Sequence, residues 1–62
     1  MREPIKIIQK LLKNGYSQKE VAAMIGKAES TVSRILAGSK PRLDTAQLIW
    51  AIPAATLREK KA

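Results

Sequence analysis

SQKEVAAMIGKAESTVSRILAG, from Ser17 to Gly38, carries two short apolar stripes at helical spacing, separated by a glycine turn. Val21, Ala22 and Ile25 fall on one side of a first helix, and Val32, Ile35 and Leu36 on one side of a second. Residues three and four apart share a helix face, so each set marks a side that needs covering. The first helix has a full start signal. Ser17 suits the N-cap, and Glu20, three residues on, completes a capping box in which each side chain accepts a backbone N–H left open by the helix. Tyr16 and Val21 hold the two positions of a hydrophobic staple. Ala22 is small where two helices must approach closely. Gly26 and Gly38 stand just past the two helices, where a left-handed backbone ends a helix without a Cβ clash. The second helix presents Glu29, Ser30, Ser33 and Arg34 opposite its apolar stripe. A helix with small polar and basic side chains on a free face, braced by a second helix through a tight turn, suits insertion into a major groove.

The flanking sequence supplies what this pair packs against. Pro4 opens a helix in the first turn, where its missing N–H costs nothing. Residues 1–3 read as a frayed end. Ile5, Ile8 and Leu12 form a stripe with Ile7 and Leu11 beside it, running to Asn14, and Gly15 ends this helix. Glu29 to Ala37 forms the third helix. GSKPR, residues 38–42, is a basic loop in which Pro41 disfavours continuing that helix. A fourth helix starts at Leu43 or Asp44 and reaches Ala51. Asp44 with Gln47 offers it a cap, with Leu43 and Leu48 as the staple. A fifth, from about Pro53 to Glu59, has only Leu57 as a clear anchor. The chain thus reads as one all-α domain over residues 1–62, a compact bundle of four or five helices.

This pattern resembles the helix-turn-helix of the phage Cro and repressor family, also called XRE-like. The resemblance rests on Gln18, Glu20, Val21, Ala22, Ile25, Gly26, Thr31, Val32, Ser33, Arg34, Ile35, Leu36 and Gly38. It extends upstream through GYSQ, residues 15–18, and downstream through PRLDTAQLI, residues 41–49. Three positions depart from the family. Lys27 stands where an apolar residue is usual, and Ala28 stands where a Ser, Thr or Asp cap is usual, a loss of about 1 kcal/mol. Arg42 likewise replaces a common serine cap.

The resemblance implies a lambda-repressor-like fold and sequence-specific binding of double-stranded DNA by a phage or bacterial repressor that occupies an operator. It places Glu29, Ser30 and Arg34 at positions that reach base edges, and Ser33 shares their face. Arg34 could bind guanine O6 and N7 together, and Glu29 could accept from cytosine N4. Ser17, Gln18, Lys27, Thr31, Lys40 and Arg42 are expected on phosphates, since the supporting helix crosses the backbone in this motif. One helix reads few base pairs, so a homodimer is expected, forming in solution or only on DNA. Trp50, Ile52, Pro53, Ala54 and Leu57 are its candidate contacts, with plain core closure as the alternative.

Composition agrees. The 62 residues include 12 Lys and Arg against 5 Asp and Glu, a net charge of +7, which favours a polyanion. The chain has no His and no Cys. That removes imidazole and thiolate metal ligands and gives no support to catalysis, and no cofactor is called for. Lys60 and Lys61 read as a solvated tail. No apolar run reaches the roughly 18 residues of a membrane span, and the cytoplasm is the expected compartment. Three other readings compete. IKIIQKLLK, residues 5–13, alone resembles a basic helix lying on a membrane, but the apolar faces of helices two and three need it as a partner. A protein-interaction module of antitoxin or adaptor type would turn the same motif toward a protein. A recombinase-type DNA-binding domain shares the helix one to three spacing, but does not require the Pro41–Ile49 segment.

Overall fold

A computed structural model describes residues 3–61, so the reading of residues 1 and 2 as frayed falls outside the described residues. Five helices follow one another: α1 (Pro4–Lys13), α2 (Gln18–Ile25), α3 (Glu29–Leu36), α4 (Leu43–Trp50) and α5 (Ala54–Arg58). The described residues contain no strand. α1 is the central element. It packs on all four others, and α2 packs chiefly on α3. Ile8, Leu11, Val21, Val32 and Ile49 are fully buried, with Ile7, Ala22, Ile25, Ile35 and Leu57 around them. The buried stripe of α1 is therefore centred on Ile8 and Leu11. Ile5 and Leu12, which the spacing placed on the main stripe, lie half-buried at its margins. The α1 face is thus covered by the bundle, as an ordinary core helix requires.

The local signals explain where the helices stop. Ser17 Oγ accepts from the Glu20 N–H and Glu20 Oε1 accepts from the Ser17 N–H, both at 3.1 Å, so the capping box of α2 is complete. Gly26 ends α2 at φ 68°, and the Lys27 N–H reaches back to the Ala22 carbonyl at 3.0 Å. A Cβ at Gly26 would meet nothing within 4 Å, so only the backbone conformation demands glycine there. Beyond α3, the N–H groups of Gly38 and Ser39 donate to the carbonyls of Ile35 and Arg34, each at 3.0 Å, the double closure of a Schellman motif. Gly38 takes φ 109° to allow it.

Two starts differ in quality. α3 begins at Ala28, in extended conformation with no side-chain cap. Replacing Ala28 by Ser should therefore raise stability by about 1 kcal/mol, seen as a higher urea midpoint at unchanged slope. At α4 the expected cap is corrected. Arg42 is the N-cap residue, and Asp44 is the second residue of the helix, in its first turn. Its Oδ1 accepts the N–H of Thr45 at 2.8 Å and its Oδ2 lies 3.8 Å from Lys27 Nζ. Leu43 is 68% exposed and Leu48 is exposed too, so they form no staple over this end.

Candidate nucleic-acid interface

α3 is amphipathic in the way an inserted helix needs. Val32 and Ile35 are buried against α1 and α2, which fixes the rotation of the helix about its axis. Glu29, Ser30, Ser33 and Arg34 are then all exposed on the other side, and Thr31 is half-buried at its edge. The four side chains expected to reach base edges therefore share one free face. Glu29 lies in the first turn and Arg34 in the last, so each charge opposes the partial charge of its own helix end. Arg34 is paired with no carboxylate among the described residues.

The residues expected on phosphates bracket this helix. Ser17 and Gln18 form the start of α2, Lys27 lies in the turn between α2 and α3, and Lys40 and Arg42 lie in the segment after α3. Ser17, Lys40 and Arg42 are exposed, and Gln18 and Lys27 half-buried. With Ser17 and Glu20 capping each other, the amides of Gln18 and Lys19 are the open donors at the start of α2. Open amides at a helix start carry a partial positive charge that suits an anion. Among the described residues, Lys27 is the basic phosphate candidate that is paired with an acid, Asp44. Both side chains of that pair are well hydrated, and the bond is worth little.

The five candidate dimer contacts differ in exposure and in the hollows they line. Leu57 is 6% exposed and closes the core against α1, so it is not available to a second chain. Ala54 lines a groove with Leu57, Ile7 and Lys10, between α1 and α5. Trp50 is half-buried against the core. Ile52 and Pro53 line a different hollow, about 380 Å³, together with Met24, Leu48, Ala51 and Thr56. Met24 and Leu48 are exposed large apolar side chains there; Leu48 was expected in a staple, and Met24 had no assigned role. Each lies next to an apolar stripe of its own helix, so spacing alone does not mark either as surface.

A recognition helix held free on a supporting helix, with polar side chains outward and cations on both sides, defines a helix-turn-helix nucleic-acid-binding domain. The family model described as helix-turn-helix matches residues 7–50, from the first turn of α1 to the end of α4, and the chain belongs to this XRE-type family of DNA-binding domains, which is not typically enzymatic. The chain is also similar to a protein of Acyrthosiphon pisum secondary endosymbiont phage 1, named only as protein P2, with 41% identity over 46 residues. That match covers 71% of this chain and 49% of the phage protein, so the chain spans about half the length of this curated relative. No solved structure gives a significant match. No helix among the described residues is long and apolar enough to cross a membrane.

Proposed function

We propose that this chain is a sequence-specific regulator of transcription that reads duplex DNA with the outer face of α3. The observation that carries this reading is the single exposed face formed by Glu29, Ser30, Ser33 and Arg34 over the buried Val32 and Ile35. On this reading residues 1–62 act as one DNA-binding domain. Arg34 and Glu29 select base pairs, with Ser30 and Ser33 between them. Ser17, Gln18, Lys27, Thr31, Lys40 and Arg42 hold the backbone on either side. The action is that of a Cro-like repressor, which blocks polymerase by occupying an operator. The exposed carboxylate of Glu29 repels phosphates unless a donor meets it, and so sharpens selection at the expense of nonspecific affinity.

A second copy completes the site. Two recognition helices about 34 Å apart fit successive major grooves on one side of a duplex. The surface proposed to join the copies is the apolar hollow of Met24, Leu48, Ile52 and Pro53, since the other dimer candidates lie elsewhere or in the core. It is small enough for copies that pair weakly alone and firmly on DNA.

Titrating a fluorescent duplex tests the binding itself. The parent should bind with an affinity that falls steeply with salt. Lys40→Ala should weaken binding to every sequence alike and reduce the salt slope by about one unit. An unchanged slope removes Lys40 from the interface. A parent that binds no duplex under any salt condition ends the proposal, and the antitoxin or adaptor reading then takes its place.

A further inference from the structure

Lys61 read as part of a solvated tail, but the segment after α5 is bound to the start of α2. The Lys61 N–H donates to the Asn14 carbonyl at 2.9 Å, and Asn14 Nδ2 donates to the Leu57 carbonyl at 2.6 Å. The first bond satisfies a carbonyl that the end of α1 leaves open. Gly15 admits this approach, because a Cβ there would come within 3.3 Å of Lys61 Cβ. Fixed at that point, the Lys61 ammonium reaches the Glu20 carboxylate, the capping-box acid of α2. The Lys61 ammonium, and then the Ser17 N–H, hold the Glu20 carboxyl below its ordinary range, so it carries a full negative charge at neutral pH.

That charge stands in an awkward place for a DNA-binding protein. Glu20 is the third residue of α2, within one helical turn of Gln18 and Lys19, where the open amides lie. A bare carboxylate there opposes the partial positive charge that draws a phosphate to the helix start. We infer that Lys61 masks the Glu20 carboxylate and so allows the start of α2 to accept a DNA phosphate, which makes Lys61 a positioning residue for duplex binding. The inference rests on the DNA-binding reading above. Glu20 keeps its cap and the helix keeps its start, while the approaching phosphate meets an ion pair in place of an anion.

The test is a double-mutant cycle on the full chain. Lys61→Gln should weaken binding to every duplex sequence by roughly threefold at low salt and by less at high salt, as expected for one uncovered charge a turn away. In a Glu20→Gln background, where the amide still caps but carries no charge, Lys61→Gln should have no effect. Lys60→Gln removes the same charge one residue away and should leave affinity unchanged. Circular dichroism melts establish that each variant is folded, and in the Lys61→Gln chain the Glu20 carboxyl should titrate higher by NMR. An equal loss in both backgrounds makes Lys61 a direct phosphate ligand and overturns the masking role. An unchanged affinity of Lys61→Gln, or an equal loss in Lys60→Gln, also overturns it. A parent that binds no duplex at all overturns the DNA reading and the masking role with it, while the Glu20 titration still reports separately on whether the pair exists.

Discussion

Leu11→Ala should leave the chain largely unfolded at physiological temperature. Leu11 is fully buried in α1, the helix that every other element packs on. Truncating it removes three side-chain carbons at the centre of the bundle and leaves a cavity that the five short helices can close only by shifting together. Such Leu→Ala changes cost about 2–5 kcal/mol. A chain of 62 residues has a total stability of only about 3–9 kcal/mol at typical values per residue. The loss is therefore comparable to the whole, and a thermal midpoint should fall by roughly 10–30 °C. Leu43→Ala is the control. Leu43 is a leucine on a helix too, but it is mostly exposed, and its loss should change stability by less than about 0.5 kcal/mol. Thermal denaturation followed by circular dichroism separates the two. A Leu11→Ala melt matching the parent's would show that α1 is not the hub of the core.

Arg34→Ala should keep the fold and lose discrimination at one base pair in each half-site. The side chain is exposed in the last turn of α3 and pairs with no carboxylate among the described residues, so its removal breaks no ion pair there. Its planar guanidinium can donate two parallel hydrogen bonds to guanine O6 and N7, and a bidentate contact of this kind contributes about 1–3 kcal/mol of discrimination. That corresponds to roughly 5- to 150-fold between the preferred base pair and the others at one position. Competition titrations with single-base variants of a bound site measure it. The expected result is a position-specific loss: the parent distinguishes guanine there and the variant does not. An equal loss on every sequence would mean that Arg34 grips a phosphate. Glu29 makes the comparison sharper, because removing an acid should raise nonspecific affinity while lowering selectivity.

The parts of this fold that the residues announce are those with local physics. Ser17 and Glu20 are three apart, and a capping box needs no other element to form. Gly26 and Gly38 mark helix ends because left-handed backbone is costly for other residues. Val32 and Ile35 define the buried side of α3, so the opposite side and its four polar residues follow from the same spacing. Asp44 was misjudged where several uses of one carboxylate compete. It had the chemistry of a cap, but the helix starts one residue earlier, and its oxygens turn to the Thr45 amide and toward Lys27. The role of Lys61 was not legible at all. Its partner Glu20 is 41 positions away, and Asn14 and Leu57, which help fix the segment, are 43 apart. No periodicity links such positions, and a lysine near a run of charges looks the same whether or not it is paired. The apolar hollow was half visible for a related reason. Ile52 and Pro53 stand out because they follow α4, whereas Met24 and Leu48 sit beside apolar stripes and become surface only once the helices are packed.

Selection of bound sequences from a random duplex pool tests the central claim most directly, run once with the parent chain and once with a folded variant in which Glu29, Ser30, Ser33 and Arg34 are all alanine. The outer face of α3 as reader predicts a defined enriched sequence for the parent, arranged as two inverted half-sites, and an unselected pool for the variant. The same enriched sequence from both chains, or none from the parent, would contradict it.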